Sequence, residues 1–255
     1  MKVVILAGGV GSRLSEETAM IPKPLVEIGG KPLLWHILKI YSVYGYNDFI
    51  ISCGYKGEKI KEYFRNLYLN SSDLTIDIKK NEISVHRSSA DDWKVTLVDT
   101  GLETMTGGRI KNVEKYLDGE TFMATYGDGL SNVNINKLLA FHKSHGKKAT
   151  VTAVRMPRFG MLKISNKDKV IDFQEKRLHN SPFISSGFFV LSRSVLDFID
   201  SPMTPFETTP LQKLADAGEL MAYKHDGFFR PLDNLNDKRI LEEIWASGKA
   251  PWKVW

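Results

Sequence analysis

The sequence predicts an α/β protein built on a mostly parallel, mixed sheet with helices on both faces. Short, continuously apolar runs such as KVVIL at residues 2–6 suit strands that are buried on both faces. Segments with helical spacing of their apolar residues alternate with these runs through the first half of the chain. A glycine-rich turn directly follows the first strand, which is where ligands bind in this architecture.

Each element of the first half follows from local signals. Residues 31–44 have apolar positions at helical spacing, a proline near the start and Gly45 at the end, and they predict a helix. The run DFIISC at 48–53 predicts a second buried strand, and residues 57–66 predict an exposed helix. A strand over 121–129 follows later, ending in glycines around an aspartate.

The second half is less regular. The patterns predict a capped helix at 134–146, a strand at 149–154, several short strands within 160–191, and helices at 206–217 and 234–247. Stretches 74–98 and 160–175 resemble small β-rich insertions. Because no linker, repeat or low-complexity tract interrupts the pattern, we expect a single domain over residues 1–255.

The composition is that of a soluble globular protein that handles anions. Of 255 residues, 42% are hydrophobic and 25% are charged, with a formal net charge of +5. The cations are scattered, which argues against a nucleic-acid partner. The single cysteine, Cys53, excludes a disulfide within the chain and favours a reducing compartment. No apolar run approaches the roughly 18 residues of a membrane span, so we expect a cytoplasmic protein without a membrane partner.

The glycine-rich turn reads ILAGGVGSRL at residues 5–14. Glycines let the backbone approach a ligand and point N–H groups at an anion. The dinucleotide fingerprint fails because Leu14 stands where its third glycine is needed, which argues against an NAD-dependent oxidoreductase, and no P-loop lysine is present. The alternative is a tight turn without a ligand. Lys23, held between Pro22 and Pro24, favours the phosphate-binding interpretation because its charge is fixed in place.

These residues carry a resemblance. LAGGVGSRL followed by PKPLVEIGGKPLL resembles the signature of the sugar-1-phosphate nucleotidylyltransferases. The likeness continues through YGDG at 126–129, FQEK at 173–176, SGFFVL at 186–191 and the surroundings of Asp233, so it covers the whole chain. LVDTG at 97–101, MTGGRI at 105–110 and the C-terminal GKAPWKVW resemble the cytidylyltransferase branch of this family. The resemblance implies a Rossmann-like, GT-A-like nucleotide-diphospho-sugar transferase fold.

The implied reaction transfers the cytidylyl group of CTP to α-D-glucose 1-phosphate and releases pyrophosphate, with Mg²⁺ as cofactor. The product, CDP-glucose, would serve nucleotide-sugar and lipopolysaccharide O-antigen biosynthesis. The resemblance implies nucleotide binding by Leu6, Ala7, Gly8, Gly9, Gly11, Ser12, Arg13, Lys23, Thr104, Gly108, Arg109 and Asp128. It implies catalytic roles for Arg13, Lys23 and Lys176, sugar binding by Glu175, Lys176, Ser186 and Gly187, and a metal site at Asp128 and Asp233.

Each of these roles has a structural alternative. Asp128 beside glycines is also typical of a turn cap, and Asp233 before a helix is typical of an N-terminal cap. Lys176 is also compatible with a solvated charge, and Arg109 with an ordinary cation at the start of a helix. A homo-oligomer is implied by the resemblance, and the C-terminal tryptophans would serve a subunit contact or fold back on their own domain.

The acceptor is the least determined part of the prediction. Arg177 and residues 178–180 replace a proline and a glycine-rich turn of the family, and residues 185–187 read Ser-Ser-Gly where Asn-Gly-Gly is expected. Ser12 replaces a threonine and keeps the hydroxyl. Transfer to another sugar 1-phosphate or other phosphorylated acceptor therefore stays open, as does a catalytically silent protein that binds a sugar nucleotide.

Overall fold

A seven-stranded sheet forms the centre of the computed structural model, which describes residues 1–11, 14, 18–156, 161–164, 169–174 and 182–255. In spatial order its strands are β14 (Leu220–His225), β10 (Ala149–Arg155), β13 (Phe183–Ser192), β8 (Thr121–Tyr126), β1 (Lys2–Leu6), β4 (Asp48–Cys53) and β7 (Lys94–Asp99). Strand β13 runs antiparallel to both neighbours, and the other paired strands of this sheet are parallel. The predicted mixed, mostly parallel sheet is confirmed.

Six α-helices and four two-stranded pairs surround this sheet in the described residues. The helices are α1 (Leu33–Ser42), α2 (Gly57–Asn70), α3 (Thr106–Asn112), α4 (Ile135–His145), α5 (Thr209–Asp216) and α6 (Leu235–Ala246). The pairs are β2 (Glu27–Ile28) with β3 (Lys31–Pro32), β5 (Ser72–Asp77) with β6 (Glu82–Ser88), β9 (Gly129–Ser131) with β15 (Phe229–Pro231), and β11 (Met161–Ile164) with β12 (Val170–Gln174).

Both faces of the sheet are buried, and β1 shows why. Successive side chains of a strand point to opposite faces. Val3 and Ile5 therefore pack into one core with residues of α1, α2, α4 and α6. Val4 and Leu6 pack into a second core with residues of α3 and α5. The expectation of helices on both faces is confirmed, and the continuous apolar run of β1 has its physical explanation.

Most predicted elements lie where the sequence places them. Strands β1 and β4 coincide with the predicted runs, and α4 begins after Asn134, whose side chain accepts a hydrogen bond from the N–H of Lys137 at 2.9 Å. Two expectations need correction. Helix α2 continues to Asn70 because its apolar spacing persists beyond residue 66. Strand β7 belongs to the central sheet and not to an insertion over 74–98, although β5 and β6 do form a separate hairpin there.

The C-terminal tryptophans fold back onto their own chain. The side chain of Trp252 is fully buried, its ring stacks on Phe228 with centroids 5.4 Å apart, and its Nε1–H donates to Nδ1 of His36 at 3.4 Å. Trp255 contacts Trp35 edge to face. The fold-back alternative thus holds for these side chains, whereas a subunit contact, the homo-oligomer and the single domain over 1–255 stay predictions. Among the described helices, none has the length and apolar character needed to cross a membrane.

Candidate active site

A cavity of about 430 Å³ opens at the carboxyl ends of β1 and β8. Its lining comes from residues 6–11, 23–24, 102–106 and 126–128, together with Arg109, Pro205 and Glu207. The cavity therefore contains the glycine-rich turn, Lys23, Thr104 and Asp128, which the sequence assigned to nucleotide binding. Its position at the ends of parallel strands agrees with the rule for ligand sites in open α/β sheets.

The glycine-rich turn leaves β1 along the cavity floor. The N–H of Ala7 donates to the carbonyl oxygen of Ser52 at 3.1 Å, and the N–H of Tyr55 donates to that of Gly8 at 3.1 Å, so the turn is tied to the end of β4. Gly9 has open space on the side where a Cβ would stand, and Gly11 adopts a φ of 68°. The turn thus brings bare backbone to the cavity surface. Ser12 and Arg13 lie outside the described residues.

The side chain of Arg109 forms hydrogen bonds with this turn and with neighbouring segments. Its side chain is buried, and its guanidinium donates to oxygen atoms at the end of β4 and in the loops that follow β1 and β7. Nη1 donates to the carbonyls of Cys53 (3.2 Å) and Gly101 (2.8 Å) and to Oγ1 of Thr100 (2.7 Å), and Nη2 donates to the carbonyls of Gly8 (3.0 Å) and Leu102 (3.1 Å). Burial lowers the pKa of Arg109, with Asp99 and Cys53 opposing that shift.

This arrangement explains two glycines. A Cβ added at Gly8 or at Gly54 would overlap the guanidinium of Arg109, so both positions need a glycine. Arg109 lines the cavity but spends at least five donor contacts on the protein itself. Its described contacts therefore position the glycine-rich turn, and its direct contact with a nucleotide stays a prediction. Arg109 does lie in a short helix, but its burial distinguishes it from an ordinary helix-start cation.

Lys23 joins the two aspartates that were assigned to a metal. It begins the short 3-10 helix Lys23–Leu25 between Pro22 and Pro24, and its side chain is 12% exposed. Its Nζ donates to Oδ2 of Asp128 at 2.8 Å and to Oδ1 of Asp233 at 3.2 Å. The three side chains form a cluster of one cation and two anions beside the glycine-rich turn.

The pairing of β9 with β15 brings the two aspartates together. Pro231 lies opposite Gly129 in this register, and the N–H of Leu232 donates to the carbonyl oxygen of Asp128 at 2.8 Å. The capping alternative for Asp233 is wrong, because Asn234 is the N-cap of α6 and accepts from the N–H of Asp237 at 3.0 Å. The carboxylate of Asp233 is therefore directed to the cluster instead of the helix.

The donor set of this cluster fits a hard divalent cation. Both carboxylates reach one common cation position, which Lys23 Nζ marks. Mg²⁺ is usually bound by one or two carboxylates together with substrate phosphates and water. Within the described ranges, no group of three or more His, Cys, Asp and Glu side chains is arranged to hold a metal ion.

The predicted sugar-binding residues are only partly described. Glu175 and Lys176 lie outside the described residues. Ser186 is buried, and its hydroxyl donates to the carbonyl oxygen of Thr152 at 3.1 Å. Gly187 adopts a φ of 78°, and a Cβ there would overlap the ring of Tyr126. Ser186 is thus bonded to β10, whereas Gly187 lies against Tyr126 at the end of β8. Both are outside the described cavity lining, and their contact with a sugar stays a prediction.

Gly108 was predicted to bind the nucleotide, but it lies outside the described cavity lining. It lies in α3, and a Cβ there would overlap the carbonyl oxygen of Pro202. Gly107 has a similarly close neighbour in the carbonyl oxygen of Thr204. These glycines allow α3 to pack against the segment at 202–206, and Gly108 is not among the described residues that line the cavity. Its predicted nucleotide contact is not supported by this position.

Sequence reasoning missed two carboxylates of the cavity lining, Glu103 and Glu207. Glu207 lies 81 residues after Tyr126 and accepts a hydrogen bond from its hydroxyl. It also accepts from the hydroxyl of Thr106 at 2.6 Å. Glu207 belongs to no recognisable motif, and its local sequence FETTP gives only a signal for the start of a helix. Its place in the site depends on tertiary contacts.

Comparisons with known proteins agree with this geometry. Residues 2–245 match the family model described as nucleotidyl transferase. The chain is 56% identical to glucose-1-phosphate cytidylyltransferase of Salmonella typhimurium and 44% identical to the probable glucose-1-phosphate cytidylyltransferase of Bacillus subtilis, with 100% of both chains covered in each case. A mannose-1-phosphate guanylyltransferase of Arabidopsis thaliana is 29% identical, over 100% of this chain and 68% of the relative.

Solved structures share the fold. The crystal structure of HddC from Yersinia pseudotuberculosis complexed with GMP-PN has a TM-score of 0.70 and 26% identity, and the alignment covers 96% of this chain and 99% of that chain. A structure of apo UDP-glucose pyrophosphorylase has a TM-score of 0.69 at 15% identity, over 97% of this chain and 98% of that chain, and supports the fold alone.

Proposed function

Because the chain belongs to the nucleotidyl transferase family, we propose that it transfers the cytidylyl group of CTP to α-D-glucose 1-phosphate. The products are CDP-glucose and pyrophosphate. The family and the fold expected from the sequence are confirmed, and 56% identity over the full chain to a glucose-1-phosphate cytidylyltransferase supports the choice of both substrates. The roles of individual site residues are part of the proposal.

The chemistry requires no general base. A phosphate oxygen of the sugar 1-phosphate attacks the α-phosphorus of CTP, and the bond between this phosphorus and the pyrophosphate oxygen breaks. The attacking oxygen is already ionised at neutral pH, so no proton has to be removed. The difficulty is electrostatic, because two polyanions must meet. The residues of the site therefore act by positioning the phosphates and neutralising their charge.

The cluster of Lys23, Asp128 and Asp233 is the observation that carries this proposal. It lies beside the bare backbone of residues 8–11, where N–H groups suit a phosphate chain. Lys23 is held between prolines and supplies a fixed positive charge next to the reacting phosphate. By family resemblance, Arg13 binds the departing pyrophosphate and Lys176 binds the phosphate of the sugar.

Asp128 and Asp233 would hold Mg²⁺. When bound, this ion neutralises the negative charge of the substrate phosphates and acts as a Lewis acid. The protein contributes the two carboxylates and their rigid support. Asp128 is fixed by the pairing of β9 with β15, and Asp233 is fixed by its N–H, which donates to Oδ2 of Asp237 at 3.2 Å.

Glucose 1-phosphate is the proposed acceptor although the chain departs from the family in residues 177–180 and 185–187. Ser186 stands where the family has a glycine, and its hydroxyl donates to the carbonyl of Thr152. The added polar group is therefore bonded within the protein interior. This orientation is consistent with a change that leaves the sugar pocket intact. Another hexose 1-phosphate is the alternative that the experiment below distinguishes.

The test is pyrophosphate release in the presence of Mg²⁺, measured for four nucleoside triphosphates with several sugar 1-phosphates. The proposal expects release with CTP and glucose 1-phosphate and little with other pairs. Release with CTP and only a different acceptor would keep the mechanism and replace the sugar. Absence of release with every pair would refute the activity and favour a protein that only binds a sugar nucleotide. Asp128→Asn and Arg13→Ala serve as matched inactive variants, each checked for folding by circular dichroism.

A further inference from the structure

The carboxylate of Glu207 is fixed at the wall of the cavity by two hydroxyl groups. Oε1 accepts from the hydroxyl of Tyr126 at the end of β8, and Oε2 accepts from Oγ1 of Thr106 at 2.6 Å. The hydroxyl of Thr106 is itself oriented, since it accepts from the N–H of Phe206 at 2.8 Å. Glu207 is an exposed residue, and its carboxylate is positioned by these contacts with the end of β8 and the start of α3.

The charge of Glu207 has no cationic partner in the part of the chain that the structure describes. Burial, together with the nearby Glu207 and Asp128 carboxylates, raises the pKa of Tyr126, so its hydroxyl stays protonated and donates. An ionised carboxylate accepts about four hydrogen bonds. Two donors are accounted for, and the remaining lone pairs of Glu207 are available to a molecule in the cavity.

A fixed anion in a cavity for a triphosphate limits what can lie beside it. Phosphate oxygens would be repelled, so Glu207 must face an uncharged part of the nucleotide that donates hydrogen bonds. CTP has two kinds of such donors, the 4-amino group of cytosine and the 2′- and 3′-hydroxyl groups of ribose. The ribose is directly attached to the phosphate chain, whereas the amino group is at the far edge of the base.

The position of Tyr126 favours the ribose. Tyr126 is two residues before Asp128 and pairs in register with Leu6, where the glycine-rich turn begins. The N–H of Gly127 donates to the carbonyl oxygen of Leu6 at 2.9 Å, which keeps this strand end close to the phosphate-binding backbone. The exposed apolar side chains of Val10 and Leu102 line the same cavity and suit the faces of a base.

We propose that Glu207 accepts hydrogen bonds from the ribose hydroxyl groups of the nucleotide and thereby selects ribonucleotides over deoxyribonucleotides. This inference rests on the proposed function of the same site. A substrate that lacks the hydroxyl loses a hydrogen bond to a charged acceptor, which lowers its affinity for the site. From the usual contribution of a hydrogen bond to a charged group, we expect a preference of about 10- to 100-fold for CTP over the deoxy analogue that lacks the contacted hydroxyl.

The experiment compares kcat/KM for CTP, 2′-deoxy-CTP and 3′-deoxy-CTP in the wild type and in Glu207→Ala. The preference for CTP should fall towards unity in Glu207→Ala, and Glu207→Gln, which keeps an acceptor without the charge, should lie between. Glu103→Ala is the matched control, because it removes another carboxylate from the lining of the same cavity. It should keep the ratio of CTP to deoxy-CTP even where absolute rates change.

Two results would overturn the inference. Equal use of CTP and both deoxy analogues by the wild type would show that no ribose hydroxyl is recognised, without the need for any variant. An unchanged preference in Glu207→Ala would assign recognition to other residues. Calorimetry also gives the Kd values for CTP and both deoxy analogues, and the ratios of these values can be compared in the same way. Absence of turnover would therefore refute the proposed function while the binding ratios still decide the role of Glu207.

Discussion

Nζ of Lys23 lies 2.8 Å from Oδ2 of Asp128, although 105 residues separate the two along the chain. The same Nζ lies 3.2 Å from Oδ1 of Asp233. The site thus places its own cation between the two carboxylates that we propose as Mg²⁺ ligands. A metal ion bound there would compete with Lys23 for these oxygen atoms, and substrate phosphates would offer Lys23 an alternative partner.

Replacing Lys23 separates its two roles. In Lys23→Met we expect kcat/KM to fall by about 10²- to 10³-fold, because a fixed cation next to the reacting phosphate is lost. We also expect Mn²⁺, used as a probe for Mg²⁺, to bind the substrate-free protein more tightly, because the competing ammonium is gone. Calorimetric titration with Mn²⁺ measures this.

The control for this variant is Lys39→Met, which removes a lysine that pairs with Asp91 at 2.7 Å outside the cavity. It should leave turnover and Mn²⁺ affinity near the wild-type values. Weaker Mn²⁺ binding in Lys23→Met would show that Lys23 does not occupy the metal position.

Arg109 should matter for stability as well as for activity. The planar guanidinium of Arg109 donates to five oxygen acceptors. The single ammonium group of a lysine in Arg109→Lys cannot reach all of them, so several buried carbonyls lose their donor. We expect the free energy of unfolding to fall by about 2–4 kcal/mol in urea titrations. Lys111→Ala on the same helix removes an exposed pair with Glu114 and should cost less than about 0.5 kcal/mol. Similar losses in the two variants would contradict the role of Arg109.

Gly187 and Gly218 form a matched pair for testing the support of Tyr126. Both adopt a positive φ, 78° and 65°, but only Gly187 has a neighbour, the ring of Tyr126, where a Cβ would stand. Gly218→Ala should lower the free energy of unfolding by about 1 kcal/mol from backbone strain alone. Gly187→Ala should lower it by at least about 2 kcal/mol and also reduce turnover, because the Tyr126 ring must move. Equal stability losses with full activity in both variants would remove this support function from Gly187.

His36 makes stability depend on pH. Burial lowers its pKa from 6.5 to about 4, and its ring donates through Nε2 to the carbonyl of Ile28 at 2.9 Å while Nδ1 faces Nε1–H of Trp252. The folded protein therefore binds this proton less readily than the unfolded chain. The stabilisation is fully present above pH 6.5 and is lost as the pH falls from 6.5 towards 4, by up to about 1.4 kcal/mol per pH unit.

Urea titrations between pH 7 and pH 4.5 check this prediction. His36→Gln cannot titrate and should show a flatter dependence than the wild type, whereas His86→Gln, at an exposed position of β6, should follow the wild type. His142 also has a pKa lowered to about 4 by burial, so some dependence should remain in His36→Gln. Parallel curves for wild type and His36→Gln would show that His36 does not contribute.

Local patterns predicted the central strands β1 and β4 well and one edge strand, β7, badly. β1 and β4 are buried on both faces, and continuous apolar runs announce such strands. β7 is at the edge of the sheet and only one of its residues is fully buried, so its mixed sequence looked like a strand of the neighbouring hairpin. The difference lies in the neighbours of the strand, which its own sequence does not contain.

Some residues of the candidate site could likewise be predicted from the sequence, and others could not. The glycine-rich turn and the proline-flanked Lys23 were recognisable because each is a local pattern with a chemical purpose, whereas the role of Asp128 came from the family resemblance. The burial of Arg109 beneath that turn was not recognisable. It depends on carbonyl groups from three segments that are distant from one another in sequence.

The sequence by itself determined the layers of the fold, the backbone cradle after β1 and the charged residue types that suit two phosphorylated substrates. The tertiary structure decided which of those charges meet. It joined Asp233 to Asp128 through the pairing of β9 with β15, and it fixed Glu207 in the cavity through Tyr126 and Thr106. The physical reason is that residue type and local spacing set propensity and burial, whereas contacts between distant segments depend on how strands and loops pair in three dimensions.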